Sequence, residues 1–254
     1  MDAVTFLDKI LPAKGIRFLA QFIPIEGHPK GGIFVHDAFG PDDNDALAHA
    51  AIRRSAKGKH VYFACSSYKE VIHKVTPKGK EYVAGREQSN VLAVQSLWLD
   101  IDVGKADPNK CYPTQELALE AVDFLVESVG LPRPLTVSSG AGLHVYWPLT
   151  EDVPVAVWNS HARMLKLLCK EHKLHADPAV TADISRILRV PGTNNYKQDI
   201  PRPVHIATAG TPVPLETIVA CLGTPVADLS AAKMFGMDDT SKDVSGGEIG
   251  RAHV

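Results

Sequence analysis

Two aspartates interrupt an otherwise apolar run, Trp98-Leu99-Asp100-Ile101-Asp102-Val103. An unpaired carboxylate is costly to bury, so this run must end where its charges are met. Side chains of an extended strand alternate between faces. Asp100 and Asp102 therefore share one face, and Leu99, Ile101 and Val103 point into a core. Two neighbouring carboxylates repel each other and call for a compensating cation. Oxygen ligands of this kind suit Mg²⁺ or Mn²⁺. The run predicts a metal site on a strand, and with it phosphate chemistry.

The rest of the chain sets the frame. Its 254 residues, 45% apolar and 22% charged, allow one large domain or two intimately packed lobes. No apolar run approaches the ~18 residues of a membrane span. The start, Met1-Asp2-Ala3-Val4, lacks the basic and apolar segments of a signal peptide. Cys65, Cys111, Cys169 and Cys221 are scattered, which suits a reducing interior rather than a disulfide framework. A cytoplasmic protein without a membrane partner is expected. The net charge of −2 argues against a basic coat, yet residues 51–90 hold nine lysines and arginines against three glutamates. That stretch is either a phosphate-backbone track or a solvated surface.

Strands and helices alternate along the chain, which implies an α/β or α+β fold. Helices are expected over 4–11, 45–54, 114–129 and 155–172. Thr114 can cap the third and Gly130 stop it, with Leu117, Ala121, Leu125 and Val129 inward. The fourth should bury Trp158, Leu165 and Leu168. Strands are expected over 17–25, 61–65, 96–103, 143–148 and 204–206. Residues 238–254, rich in Gly, Ser and charge, read as a tail or linker.

Two further blocks carry chemistry. In Ser138-Ser139-Gly140-Ala141-Gly142-Leu143-His144, small residues let backbone N–H groups approach phosphate oxygens. His144 either holds a nucleotide phosphate or is a satisfied core histidine. In the block from Asp177 to Lys197, Asp177 could complete a three-carboxylate metal site. Arg186 and Arg189 would share a face if this piece is helical, and Lys197 could meet a triphosphate as a point charge. A plain surface ion pair between Asp183 and Arg186 is the alternative there.

Together the three blocks resemble the archaeo-eukaryotic primase superfamily, in particular phage and plasmid primase-polymerases, over roughly residues 61–206. The motifs are Leu99-Asp100-Ile101-Asp102, then Ser139 to His144, then Asp177 followed by Arg186-Ile187-Leu188-Arg189-Val190-Pro191-Gly192-Thr193. The resemblance implies a catalytic domain over 1–225, with 226–254 a tail or linker. An N-terminal α/β lobe would pack on a lobe with an RNA-recognition-motif-like sheet that carries the metal site. Asp100, Asp102 and Asp177 would bind two Mg²⁺ or Mn²⁺ ions. Ser138, Ser139, His144, Arg186, Arg189 and Lys197 would bind the nucleotide. Asp177 is preferred to Asp183, because relatives with a similar string use the first aspartate. The implied activity is two-metal nucleotidyl transfer on a single-stranded DNA template, making or extending primers from NTPs or dNTPs, with a replicative helicase as a possible partner. A metal-dependent nuclease, a nucleotide-sugar glycosyltransferase and a catalytically silent replication module are the alternatives. Many relatives carry an arginine where this chain has Gly140 and Ala141, so phosphate charge must be met from elsewhere. Cys169, His172 and His175 have zinc-like spacing but no fourth ligand, so structural zinc is not expected.

Overall fold

The computed structural model describes residues 1–76, 79–105, 107–108 and 110–223. The tail expected over 226–254 lies outside the described residues. The chain begins with α1 (Ala3–Ile10), the hairpin β1 (Arg17–Pro24) and β2 (Gly32–Phe39), α2 (Asn44–Ser55) and β3 (His60–Ala64). Then come β4 (Ser66–Tyr68), a ribbon of β5 (Ile72–Val75) and β6 (Glu81–Ala84), and the long β7 (Val91–Asp102). α3 (Gln115–Val129), β8 (Leu135–Ser138), β9 (Gly142–Pro154) and α4 (Val155–Glu171) follow. The last elements are α5 (Pro178–Thr181), β10 (Ile187–Leu188), β11 (Asn194–Asn195), β12 (Arg202–Pro203), β13 (His205–Thr208) and α6 (Leu215–Leu222).

Two antiparallel sheets organise these elements. One has four strands in the order β10-β3-β1-β2, the other five in the order β13-β8-β9-β7-β4. The run β7-α3-β8-β9-α4 supplies the β-α-β-β-α part of a split unit, and β13 closes it beyond β8. The N-terminal lobe is not built from N-terminal residues alone, since β10 pairs with β3. One hydrophobic core runs through both sheets: Phe6 packs edge-on against Phe63 of the first sheet and Tyr146 of the second. On the same face of the larger sheet Trp98 stacks on Trp158 of α4, and its indole N–H donates to the Val180 carbonyl.

Local signals explain the helix ends. The Thr114 hydroxyl accepts from the Leu117 amide, and Gly130 ends α3 at a φ of 77°. The inward face of α3 differs from expectation: Ala118, Val122, Leu125 and Val126 are buried, while Leu117 is 43% exposed. Steps of four residues advance ~40° beyond a full turn, so a strict i+4 line drifts off the buried stripe. In α4 Cys169 takes the fully buried position, and Leu168 is half-buried beside it. No helix among the described residues is long and apolar enough to cross a membrane.

Candidate active site

Asp100 sits near the end of β7, directly opposite His144 on β9, and Asp102 sits opposite Gly142. The pleat sends Asp100, Asp102 and His144 to one face, toward the smaller sheet. The hairpin that joins β8 to β9 fixes this register. Its turn is closed by the Ser139 amide donating to the Gly142 carbonyl at 2.9 Å, and Gly140 turns it with a φ of 79°. A Cβ on Gly142 would stand 2.2 Å from the Ile101 carbonyl oxygen, so only glycine lets β9 lie this close to β7. Two of the small residues are therefore needed by the backbone itself.

The third block docks on the free side of β7. The Asp177 amide donates to the Asp100 carbonyl at 2.8 Å, and Ala176 bridges Ile101. Asp177 then caps α5, its Oδ1 accepting from the Ala179 amide at 2.9 Å. Beyond α5 the chain is not helical. Asp183 Oδ1 accepts from both the amide and the hydroxyl of Ser185, and the Arg186 amide donates to the Asp183 carbonyl. Asp183 thus shapes the turn that presents Arg186; neither a surface ion pair with Arg186 nor a helical face shared with Arg189 is formed. Both arginines still reach the cleft, because β10 carries the chain across it to β3.

Arg186 Nη2 lies 3.5 Å from Asp100 Oδ2, and His144 Nε2 lies 3.8 Å from Asp100 Oδ1. Burial raises the pKa of Asp100 and Asp177 raises it further, while Arg186 opposes them. Asp100 is therefore a partly buried carboxylate whose charged form burial disfavours. Burial pushes the His144 imidazole down to about 3, helped by Arg189 and Arg186, so it is neutral at physiological pH. The Tyr146 hydroxyl, kept protonated by burial, lies 3.5 Å from His144 Nδ1 and favours the tautomer with its proton on Nε2, facing Asp100. Asp102 Oδ2 is held by Lys105 Nζ at 2.5 Å.

Arg189 is the most enclosed cation of the set. It is 4% exposed, its guanidinium carbon stands 4.8 Å over the Tyr62 ring, and Nη2 donates to the Tyr62 hydroxyl at 3.2 Å. Its Nη1 is buried without a partner. Lys197 lies in the same field: withdrawal from water lowers its pKa first, Arg189 lowers it further, and Asp100 opposes both.

Two expectations change. Ser138 points to the opposite face of the sheet, where its hydroxyl donates to Gln115 of α3 at 2.9 Å, so it is removed from the nucleotide set. Ser139 stays at the turn with its amide engaged, leaving the hydroxyl as its free chemistry. The basic stretch 51–90 is not one track. Arg54 pairs with Asp37, Lys74 with Glu87, and Arg86 is drawn inward to His36 and the Ser185 carbonyl. Sequence reasoning missed Tyr62, Tyr146 and Arg202. Arg202 Nη1 donates to the Gly140 carbonyl at 3.2 Å, which brings a guanidinium to the turn that has no arginine of its own. Tyr146 could have been found from its i+2 spacing to His144 on β9; nothing local marks the other two.

Among the described residues no three His, Cys, Asp or Glu side chains close on a common point as a ready metal cage. The chemistry of the set still fits a hard cation: Asp100, Asp102 and Asp177 offer only oxygen, and Asp177 lies close enough to Asp100 to raise its pKa. Cys169 is buried, and burial pushes its thiol up to about 12.

No protein-family model matches the chain, and no curated protein matches it in sequence. Solved structures do. The archaeo-eukaryotic primase domain of the cyanophage S-2L primase-polymerase is similar over 87% of this chain and 97% of its own, with 16% identity and a TM-score of 0.56. The catalytic domain of the primase RepB′, solved with initiator DNA, is similar over 94% of this chain and all of its own, with 15% identity and a TM-score of 0.51. A longer structure of primase RepB′ aligns over 66% of its own length. The chain has the fold of the archaeo-eukaryotic primase-polymerases.

Proposed function

We propose that the chain is a DNA primase-polymerase that transfers nucleotides on a single-stranded template, with its centre at Asp100, Asp102 and Asp177. One observation carries this reading: within a primase-polymerase fold, the carboxylates of β7, with Asp177 close to Asp100, face a cluster of cations made by Arg186, Arg189 and Lys197. The three carboxylates would hold Mg²⁺ or Mn²⁺, which would neutralise phosphate charge and ease deprotonation of a primer 3′-hydroxyl. The remaining work falls to side chains. Arg186 now serves as counter-charge to Asp100, and once Asp100 is otherwise engaged its guanidinium is free to turn to phosphate oxygens. Arg189 presents its unpartnered Nη1, pre-positioned by Tyr62. Neutral His144 donates from Nε2, and Ser139 and Arg202 contribute from the turn. These groups act by positioning and charge, and no covalent intermediate is needed.

A metal-dependent nuclease would use the same carboxylates. Several cations gathered on one side suit a triphosphate better than a single backbone phosphodiester. The test is a reaction with primed single-stranded DNA, Mn²⁺ and either NTPs or dNTPs. The wild type should extend the primer, and folded Asp100→Ala and Asp177→Ala should be inert. DNA degradation without nucleotide consumption would instead establish the nuclease. Omitting the primer separates a primase from a polymerase.

A further inference from the structure

The cleft-side face of the four-stranded sheet carries a row of aromatic side chains, of which the site above uses only Tyr62. Phe34 of β2, Phe22 of β1 and His60 of β3 are register partners across three strands. Phe22 and Phe34 are 5.1 Å apart between ring centres, and Phe22 and His60 6.4 Å. Tyr62 joins from the next rung, 5.9 Å from Phe34, and Tyr196 meets the edge of His60 at 6.0 Å. Tyr196 is fixed there by donating its hydroxyl to the Ser55 carbonyl.

Burial divides this face. Phe18, which packs on Tyr68 of the second sheet, and Ala20 are fully enclosed, but Phe22, Phe34, His60 and Tyr62 are only half-buried. Contiguous aromatic surface left open in this way marks a binding surface. Cations lie beside these rings. Arg189 stands over Tyr62, and Arg189 and Lys197 both act electrostatically on His60. Open rings bordered by cations match an unpaired strand of nucleic acid, whose bases stack while its phosphates seek positive charge. A protein partner would need apolar or acidic groups to match this surface, and the cations disfavour the first.

We infer that Phe34, Phe22 and His60 form a stacking platform for unpaired bases of a single-stranded nucleic acid entering the cleft past Tyr62. Calling that strand the template rests on the polymerase reading; the platform itself does not. His60 is neutral in this setting, because burial and then Arg189 and Lys197 lower its pKa, so it presents a ring rather than a charge.

The experiment measures fluorescence anisotropy of a fluorescein-labelled oligothymidylate with the whole protein, without metal or nucleotide. Phe34→Leu and Phe22→Leu keep apolar volume and remove the ring. Each should weaken binding about tenfold at constant salt, with an unchanged melting temperature. Phe124→Leu, on the exposed face of α3, should bind as wild type. A blunt duplex should compete poorly. His60→Ala replaces either phenylalanine variant that melts early. Binding within twofold of wild type in the ring variants, or equal competition by duplex, overturns the platform. An active enzyme whose Phe34→Leu variant binds normally defeats the platform alone. A chain that never incorporates nucleotide but loses binding in Phe34→Leu defeats the polymerase reading alone.

Discussion

Replacing Arg189 by methionine should separate stability from activity. The arginine is 4% exposed, donates once to Tyr62 and lies over its ring at 4.8 Å, and leaves Nη1 without a partner. Losing the charged hydrogen bond and the ring contact costs about 2 kcal/mol. Against this, the buried guanidinium carries an unsatisfied donor that costs about 1–3 kcal/mol, and methionine fills most of the space without it. The two nearly cancel, so Arg189→Met should change unfolding free energy by less than about 1 kcal/mol. Catalysis has no such offset. A buried, pre-positioned cation that meets developing phosphate charge is worth roughly 10²–10³ in rate, or about 2.7–4 kcal/mol. Urea unfolding and steady-state incorporation of a single nucleotide would be measured on the same preparation. The reasoning fails if Arg189→Met loses more than ~3 kcal/mol of stability while its folded fraction keeps kcat/KM within about threefold of wild type. Arg189 would then be a structural cation.

Acid should destabilise the fold through its buried histidines. The His144 pKa is depressed from 6.5 to about 3, so its contribution is fully present above about 6.5 and is lost as pH falls toward 3. The slope is up to about 1.4 kcal/mol per pH unit. His36, lowered to about 4 by burial and Arg86, acts in the same direction. Urea midpoints at pH 7 and pH 5 should differ in the wild type and differ less in His144→Gln; equal pH dependence in the two would refute the assignment. Gly142→Ala should melt far below the wild type or fail to fold, since its Cβ would meet a backbone oxygen at 2.2 Å. A normal melting curve for Gly142→Ala would show that β7 and β9 can separate without loss.

The parts legible in the sequence were those written in local signals. The period-two run into Asp100 and Asp102 specified β7, and Thr114 with Gly130 bounded α3. β2, the β5–β6 ribbon and β8 were not anticipated, because their apolar residues are few or interrupted and their pairing is set by partners elsewhere. Within the site, the carboxylates and arginines were visible as residue types. Their arrangement was not: Arg189 meets Tyr62 across 127 residues, and Arg202 reaches Gly140 across 62. Ser138 was grouped with the nucleotide ligands; the face it takes depends on where the turn at Gly140 falls, which the residues alone do not mark.

The central claim is that Asp100, Asp102 and Asp177 hold the ions that receive a nucleoside triphosphate. A crystal structure with Mn²⁺ and a non-hydrolysable nucleoside triphosphate, with anomalous scattering used to place the manganese, tests it most directly. The account predicts manganese on Asp100 and Asp177, Lys105 displaced from Asp102, and the phosphates against Arg189 and Lys197. Manganese bound away from these carboxylates, or a triphosphate seated outside the cleft, would contradict it.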